Sequence, residues 1–220
     1  PQNPKTPVCN LVNIKNKKIQ MQKQVHNFSA GPCVLPKAVL LKAQAELMDW
    51  HGTGLSVMEM SHRGKPFQEI AETAKANLRK LLEIPEDYTI FFFQGGASQQ
   101  FSAICQNLLG DNAEASANYL TTGTWSESAV KEAKKYCNAN EVANNIKDKY
   151  AFIKPAEEWS IKQDATYFHY CDNETIQGFE FTDFPFHVIP EKQLVVCDMS
   201  SNFCSKKIDW SKYDVVYAGA

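Results

Sequence analysis

The sequence predicts an α/β domain in which a mostly parallel sheet is flanked by helices. Short, nearly continuous apolar runs alternate along the chain with segments whose apolar residues recur at three- and four-residue steps. Continuous apolar runs are typical of strands buried on both faces, and their alternation with helices is typical of parallel sheets. The predicted strands are residues 88–93, 117–122, 165–171, 194–201 and 213–220.

Helical periodicity predicts four helices. The first follows Pro36 and ends at Gly52 and Gly54, and the second opens at Pro66 and closes before Pro85. Proline suits the first turn of a helix and is poorly tolerated inside one. A third helix, 98–109, and a fourth, beginning at about Trp125 and ending near Tyr136, each follow a strand and a glycine-containing turn. The periodic positions of the first two helices are Leu40, Ala43, Leu47 and Trp50, then Phe67, Ile70, Ala74, Leu78 and Leu81.

The composition favours a protein that binds small molecules. The formal net charge is -2, with no basic face that would suggest nucleic acid or a polybasic membrane anchor. No apolar stretch approaches the ~20 residues of a membrane span. The seven cysteines are odd in number and scattered without a CxxC pair. This pattern argues against a disulfide framework and a zinc site, and favours reduced thiols in a cytosol-like compartment.

Residues 1–25 differ from the rest of the chain. They contain five lysines, no acidic residue and no clear apolar period. We expect a disordered or non-native extension there, followed by one domain over residues 26–220. A transit peptide is the alternative, because such segments are poor in acidic residues, although this one contains neither arginine nor serine.

The turn Gly95-Gly96-Ala97-Ser98 is a candidate phosphate site, because it joins a predicted strand to a predicted helix. Backbone N–H groups and the helix dipole favour an anion at such a position, and the Ser98 hydroxyl adds a donor. The turn matches neither GxGxxG nor GxxxxGK[ST], which weighs against a nucleotide. A plain tight turn is the alternative.

Asp198 is a candidate for binding a cationic group. It ends the apolar run Leu194–Asp198, so its carboxylate is expected where a buried strand meets a cleft. An unpaired carboxylate there is costly, and the protonated nitrogen of a pyridine ring would be a suitable partner. A cap for the following turn is the alternative role.

Four further residues are candidates on weaker grounds. Trp125 could present its indole face to a flat ring, although a core tryptophan fits equally well. Thr175 could donate to a ring hydroxyl or a phosphate, although its segment Asn173-Glu174-Thr175 also suits an Asx-type turn. His62 and Arg63 lie in a short cationic loop, where Arg63 could grip a carboxylate or phosphate with two hydrogen bonds. A solvated loop is the alternative there.

These pieces, in this order, resemble the phosphoserine aminotransferase family. The resemblance runs from about His26 to the end of the chain, and an ordered set of segments carries it. The segments are NFSAGPCVLP at 27–36, SVMEMSHRGKPF at 56–67, FFFQGGASQQF at 91–101, GTWSESAVKEAKKY at 123–136, HYCDNETIQG at 169–178, VCDMSSNFCSKKID at 196–209 and YDVVYAGA at 213–220.

The resemblance implies the large domain of a fold-type I transferase that uses pyridoxal 5'-phosphate (PLP). The implied enzyme is a cytoplasmic homodimer that converts L-glutamate and 3-phosphohydroxypyruvate into 2-oxoglutarate and O-phosphoserine, for serine biosynthesis. By motif, Ala97 and Ser98 fall at the cofactor's phosphate, Trp125 on its ring, Thr175 in contact with it, and Asp198 at its pyridinium nitrogen. His62 and Arg63 fall at the substrate-anion site.

The chain departs from the family pattern at two places. Its phosphate loop reads GGASQ where many relatives have GGG followed by Arg or by Cys and Gly. Relatives continue after YAGA with Gln and the Schiff-base lysine, then a small C-terminal domain, whereas this sequence ends at Ala220. We therefore expect this chain to be inactive alone, with neither Lys206 nor Lys207 substituting.

Two alternatives to an active enzyme of this family stay open at the level of sequence. One is a non-catalytic remnant of the PLP fold that acts as a binding or interaction protein, completed by a separate chain that carries the lysine. The other is a different fold-type I PLP enzyme, which the HRGK loop disfavours.

Overall fold

Five parallel strands form the main sheet of the structure, a computed structural model that describes residues 25–112 and 114–219. The strand order is β2-β1-β3-β6-β7, and every neighbouring pair is parallel. A separate antiparallel pair, β4 and β5, makes a small hairpin. The predicted α/β class with a mostly parallel sheet is confirmed. The strands are β1 Ser116–Thr121, β2 Asn138–Asn144, β3 Tyr167–Cys171, β4 Asn173–Glu174, β5 Phe179–Glu180, β6 Leu194–Asp198 and β7 Val215–Tyr217.

The four predicted helices all form, with shifted ends. They are α1 Lys37–Glu46, α2 Lys65–Leu82, α3 Gly96–Leu109 and α4 Thr124–Ala133. Helix α1 ends before Leu47 and Trp50, and none of its residues is buried. Helix α3 begins at Gly96, ahead of the predicted start, because the left-handed conformation of Gly95 lets the chain turn directly into the helix.

The chain divides after Gly54 into two compact units. The first contains α1, and the second contains the other three helices and both sheets. The predicted extension over residues 1–25 lies, except for Val25, outside the described residues. No helix within the described ranges is long and apolar enough to cross a membrane.

One face of the main sheet is covered by α3 and α4, and we call it the helix-covered face. Phe101, Ile104 and Cys105 of α3 and Ala129, Val130 and Ala133 of α4 pack against it. Alternation along the strands directs one set of side chains to this face. That set is Ala117, Tyr119, Tyr167, His169, Val196, Asp198 and Tyr217.

The opposite side, which we call the aromatic face, is covered mainly by connecting segments, including the short 3-10 helices Ala156–Glu158 and Phe186–Val188. Its strand residues include Leu120, Phe168, Tyr170, Val195 and Cys197. Trp159, Phe181 and Phe184, from the chain between β2 and β6, pack on them. The predicted cover on both faces of the sheet is therefore present, and large aromatic rings supply much of it on this side.

The predicted strand at 88–93 is absent as a paired strand. Its backbone joins no ladder of the described sheets, and Phe91, Phe92 and Phe93 are 64%, 58% and 73% exposed. An apolar run favours a strand, but a strand forms only beside a hydrogen-bonding neighbour.

Strand β2 was not predicted from the sequence, because its residues are polar although it has a neighbouring strand to pair with. Its sequence NANEVAN is polar and resembles a loop, yet it pairs with β1 in parallel. It lies at one edge of the sheet, where half-exposed polar side chains are tolerated.

Candidate active site

Polar groups from four parts of the chain gather where the strands of the main sheet reach their carboxyl ends. Trp125 lies in the helix that follows β1, Thr175 follows the short strand β4 that comes after β3, and Asp198 is the last residue of β6. Gly219, just after β7, packs on Ala97 at the start of α3. In open α/β sheets this edge is where ligands bind, because strands deliver side chains and helix N-termini there.

The start of α3 offers backbone donors to an anion. Gly95 adopts φ 93° and the helix begins without a side-chain cap. The N–H groups of Gly96, Ala97 and Ser98 therefore lack intrahelical partners and suit a phosphate. A Cβ on Gly219 would lie 2.6 Å from the Ala97 nitrogen, so only glycine permits this approach. The Ser98 side chain is exposed and is available as a further donor.

Asp198 is a buried carboxylate, only 4% exposed. Its Oδ1 accepts hydrogen bonds from Ser200 N at 2.8 Å and Ser200 Oγ at 2.5 Å, whereas Oδ2 lies 3.9 Å from the Cys171 thiol. Burial raises the pKa of Asp198 above its ordinary value, and the Ser200 hydrogen bonds partly oppose this. Among the described residues no cationic side chain forms an ion pair with it. A protonated ring nitrogen matches this unmet charge.

Trp125 and Thr175 lie in neighbouring parts of this edge, one at the start of α4 and the other in the turn after β4. Trp125 is the second residue of α4, and its side chain is 41% exposed. Its indole stacks on no other ring in the described part of the chain, so a face is free for a flat ligand. Thr175 is half-buried and opens the turn that joins β4 to β5. The segment forms a hairpin turn, in which Thr175 directly follows Glu174, the residue bonded to the start of α4.

Glu174 was not singled out from the sequence, yet it lies at the centre of this arrangement. It is fully buried, and its carboxylate accepts hydrogen bonds from Trp125 N at 2.9 Å and Ser126 N at 2.9 Å. The sequence holds one signal for it. The residue before α4 is Gly123, which has no side chain to cap the helix, so the cap must come from elsewhere.

His62 and Arg63 are not in contact with these residues. They occupy an exposed turn closed by the hydrogen bond from Gly64 N to Ser61 O at 2.8 Å. Helix α2 begins just after this turn and is anchored at its other end, where Leu82 packs on Trp210. An α-helix of that length spans roughly 27 Å. The structure does not bring the two residues to the carboxyl-end cluster, and their role stays a prediction.

Sheet order, helix placement and the polar edge together define the large domain of a fold-type I PLP-dependent transferase. Solved phosphoserine aminotransferases share the fold. The enzyme from Bacillus circulans subsp. alkalophilus superposes with a TM-score of 0.82 at 40% identity, covering 90% of this chain and 53% of that one. The PLP-bound enzyme from Trichomonas vaginalis gives a TM-score of 0.77 at 42% identity, covering 89% and 53%.

The family model Aminotransferase class-V matches residues 25–220, and the chain belongs to that family. It is 48% identical over 207 residues to phosphoserine aminotransferase 1, chloroplastic, of Arabidopsis thaliana, covering 94% of this chain and 47% of that protein. It is 52% identical over 199 residues to the phosphoserine aminotransferase of Acinetobacter baylyi, covering 90% and 54%. The chain thus spans about half the length of these relatives. The predicted resemblance is confirmed, and class-V aminotransferases are PLP-dependent.

Proposed function

We propose that the protein carrying this chain is a phosphoserine aminotransferase. It would transfer the amino group of L-glutamate to 3-phosphohydroxypyruvate, giving O-phospho-L-serine and 2-oxoglutarate. The observation that carries the proposal is Asp198, a buried carboxylate without a cationic partner in the described residues, at the ligand edge of an aminotransferase fold. Relatives with 48% and 52% identity bear the name of this enzyme. No observation favours a non-catalytic remnant of the fold.

PLP, when bound, supplies an electron sink for negative charge that develops at the substrate's reacting carbon. Asp198 holds the ring nitrogen in its protonated form, because an anion in a poorly solvated position strongly favours a neighbouring cation. Trp125 orients the ring by stacking on it, and Thr175 donates a hydrogen bond from the adjacent turn. The N–H groups of Ala97 and Ser98 anchor the phosphate at the start of α3.

His62 and Arg63 would recognise the anionic groups of the substrates. Both substrates carry a carboxylate beside the reacting carbon, and 3-phosphohydroxypyruvate adds a phosphate. The guanidinium of Arg63 suits either group with two parallel hydrogen bonds, and His62 can add a third. Arg63 is exposed and forms no ion pair with another described residue, so its charge is available.

Isotope transfer tests this function. The enzyme carrying this chain, supplied with ¹⁵N-labelled L-glutamate and 3-phosphohydroxypyruvate, should form ¹⁵N-labelled O-phosphoserine, detected by mass spectrometry. Arg63→Ala should raise KM for both substrates about tenfold, the effect of losing a charge-assisted hydrogen bond, while PLP stays bound. Lys65→Ala, which removes a neighbouring exposed charge, is the matched control. Absence of labelled product from the wild-type enzyme overturns the proposal, and loss of PLP from Arg63→Ala overturns its assigned role.

The proposal includes a cytoplasmic homodimer that binds neither nucleic acid nor membrane. The cysteines of the described ranges are all free, which suits a reducing compartment. The Arabidopsis thaliana relatives are chloroplastic, so a plastid is the competing location. Light scattering of the purified enzyme should give twice the subunit mass, and cell fractionation should recover it with cytosolic markers. A monomer or a plastid signal would contradict these two points separately.

A further inference from the structure

The first turn of α4 is capped by side chains from a different loop. The N–H of Thr124 donates to Gln177 Oε1 at 3.1 Å, that of Trp125 to Glu174 Oε2 at 2.9 Å, and that of Ser126 to Glu174 Oε1 at 2.9 Å. Helix N-termini leave such donors unsatisfied unless a cap is supplied. Here the hairpin β4–β5 supplies it across some fifty residues of chain.

The carboxylate of Glu174 is held in a single geometry. Besides the two backbone donors, Ser126 Oγ donates to its Oε1 at 2.5 Å. Burial raises the pKa of Glu174 above its ordinary value, the Ser126 and Trp125 hydrogen bonds oppose the rise, and nearby Asp198 adds to it. No cation of the described ranges pairs with this carboxylate, so the positive end of the α4 dipole is its compensation.

Gly123 makes room for this contact. A Cβ on Gly123 would lie 2.5 Å from Glu174 Cδ and 2.6 Å from Gln177 Oε1. Its φ of -176° is ordinary extended backbone, so the need for glycine here comes from space alone. Gln177 closes the junction with a second bond, from its Nε2 to Thr124 Oγ1 at 2.8 Å. Two side chains of the hairpin segment, Glu174 and Gln177, thereby hold the start of helix α4.

We propose that Glu174, assisted by Gln177, is a positioning residue that fixes Trp125 and Thr175 relative to each other. Trp125 donates its own backbone N–H to Glu174, and Thr175 is the next residue of the chain after Glu174. The stacking surface and the hydroxyl donor therefore form one preorganised unit, although they follow different strands. Preorganisation strengthens binding by lowering the ordering cost that a ligand must meet. The inference rests on the proposed function, because it assumes that both residues contact PLP.

The test replaces Glu174 with glutamine in the holoenzyme. Glu174→Gln keeps the shape but turns one acceptor into a donor that faces N–H groups, so one bond is lost and one donor is left unpaired. PLP should dissociate about tenfold faster, the loss expected for one buried hydrogen-bonding group. The induced circular dichroism of the cofactor's visible band should also change, because it reports the orientation of the ring. Fluorescence transfer from Trp125, isolated by subtracting the Trp125→Phe spectrum, should fall.

Glu127→Gln is the matched control, since it removes a charge from the same first turn while leaving the cap intact. Glu127 accepts a hydrogen bond from Tyr150 Oη at 3.0 Å and takes no part in the hydrogen bonds of the cap. This variant should release PLP at the wild-type rate. Gln177→Ala is a milder variant that tests the positioning role if Glu174→Gln does not fold. It should accelerate PLP release about threefold, a loss of the order expected for one neutral hydrogen bond.

Each outcome bears on one claim. If folded Glu174→Gln releases PLP at the wild-type rate with wild-type dichroism, the positioning role is overturned and the proposed function stays intact. If Glu174→Gln does not fold, the same result in folded Gln177→Ala has the same meaning. A lowered unfolding temperature with unchanged PLP release would likewise reduce Glu174 to a purely structural cap. A wild-type enzyme that binds no PLP would overturn the proposed function, and this inference with it.

Discussion

The two faces of the main sheet bury side chains by different means. On the aromatic face, rings pack on rings, as where Tyr170 stacks on Phe184 with centroids 3.8 Å apart. On the helix-covered face, buried polar groups form two hydrogen-bonded pairs, in which Tyr119 Oη lies 2.6 Å from Tyr167 Oη and His169 Nε2 lies 2.8 Å from Tyr217 Oη. Burial raises the pKa of Asp198, and the Tyr217 hydroxyl is one of the groups that oppose the rise. Among the described residues, this face is thus linked to the candidate site through Tyr217 and Asp198.

This difference predicts which substitutions should alter the candidate site as well as the stability of the fold. Hydrophobic packing is non-directional, so its loss lowers stability and leaves the orientation of distant polar groups unchanged. A hydrogen bond is directional, and a carboxylate's pKa depends on its donors. Substitutions on the aromatic face should therefore lower stability alone. Substitutions of polar groups on the helix-covered face should change both stability and PLP binding.

Phe168→Ala should have the largest effect on stability. Phe168 is fully buried on the aromatic face, against Trp159 and Phe184. Its truncation should lower the free energy of unfolding by about 3–5 kcal/mol in urea denaturation, without changing PLP affinity per folded molecule. Phe152→Ala, at a 53% exposed position, should cost less than about 1 kcal/mol. A changed PLP affinity in folded Phe168→Ala would show that the aromatic face also affects the cofactor site.

His169 should make stability depend on pH. Burial lowers the pKa of His169 to about 3 from 6.5, so the folded state keeps the ring neutral where the unfolded state takes up a proton. The free energy of unfolding should therefore fall as pH drops below 6.5, by about 1.4 kcal/mol per unit, down to about pH 3. Urea denaturation across pH 5–7.5 should show this slope for wild type and for His187→Gln, at an exposed histidine. His169→Gln should lack it, and a retained slope would contradict the assignment.

Tyr217→Phe should change stability and the site together. Removing its hydroxyl takes one hydrogen bond from His169, at a cost of about 1 kcal/mol in unfolding free energy. PLP binding should also weaken, because the pKa of Asp198 rises further. Tyr170→Phe is the matched control, since that hydroxyl bonds Tyr213 Oη at 3.2 Å on the aromatic face. Equal PLP affinities in the two variants would mean that the faces do not differ in this respect.

Lys134→Ala should have the smallest effect on stability of these variants. Lys134 pairs with Glu141 on the surface, with half of its side chain exposed. Exposed ion pairs contribute about 0–1 kcal/mol, so the free energy of unfolding should fall by no more than this amount. The PLP affinity should equal that of the wild type. A larger loss would show that the edge strand β2 depends on this pair.

The sequence was sufficient for the strands that carry the site, because the apolar periods of β1, β3, β6 and β7 are set by burial on both faces. It was insufficient where pairing or capping is decided by distant residues. Residues 88–93 have the composition of a strand but no described neighbour, and polar β2 forms because β1 pairs with it. Glu174 escaped notice because its partners, Trp125 and Ser126, are nearly fifty residues away.

The candidate residues were predictable to different extents. The position of Asp198 follows from its place at the end of an apolar run, and its unmet charge is visible only in the structure. Ala97 and Ser98 follow from the glycine turn. The setting of His62 and Arg63 was not predictable, because a cationic loop has the same sequence whether it faces a ligand or solvent.

The central claim is that the carboxyl edge of this sheet holds PLP through Asp198, and a spectroscopic titration tests it most directly. PLP added to the enzyme carrying this chain should give a visible absorption band that saturates. Asp198→Ala should weaken binding at least about tenfold, since it removes the only counter-charge proposed for the ring nitrogen. Asp209→Ala, at an exposed turn-capping carboxylate, should bind as wild type does. Equal PLP affinities in wild type and Asp198→Ala would contradict the account.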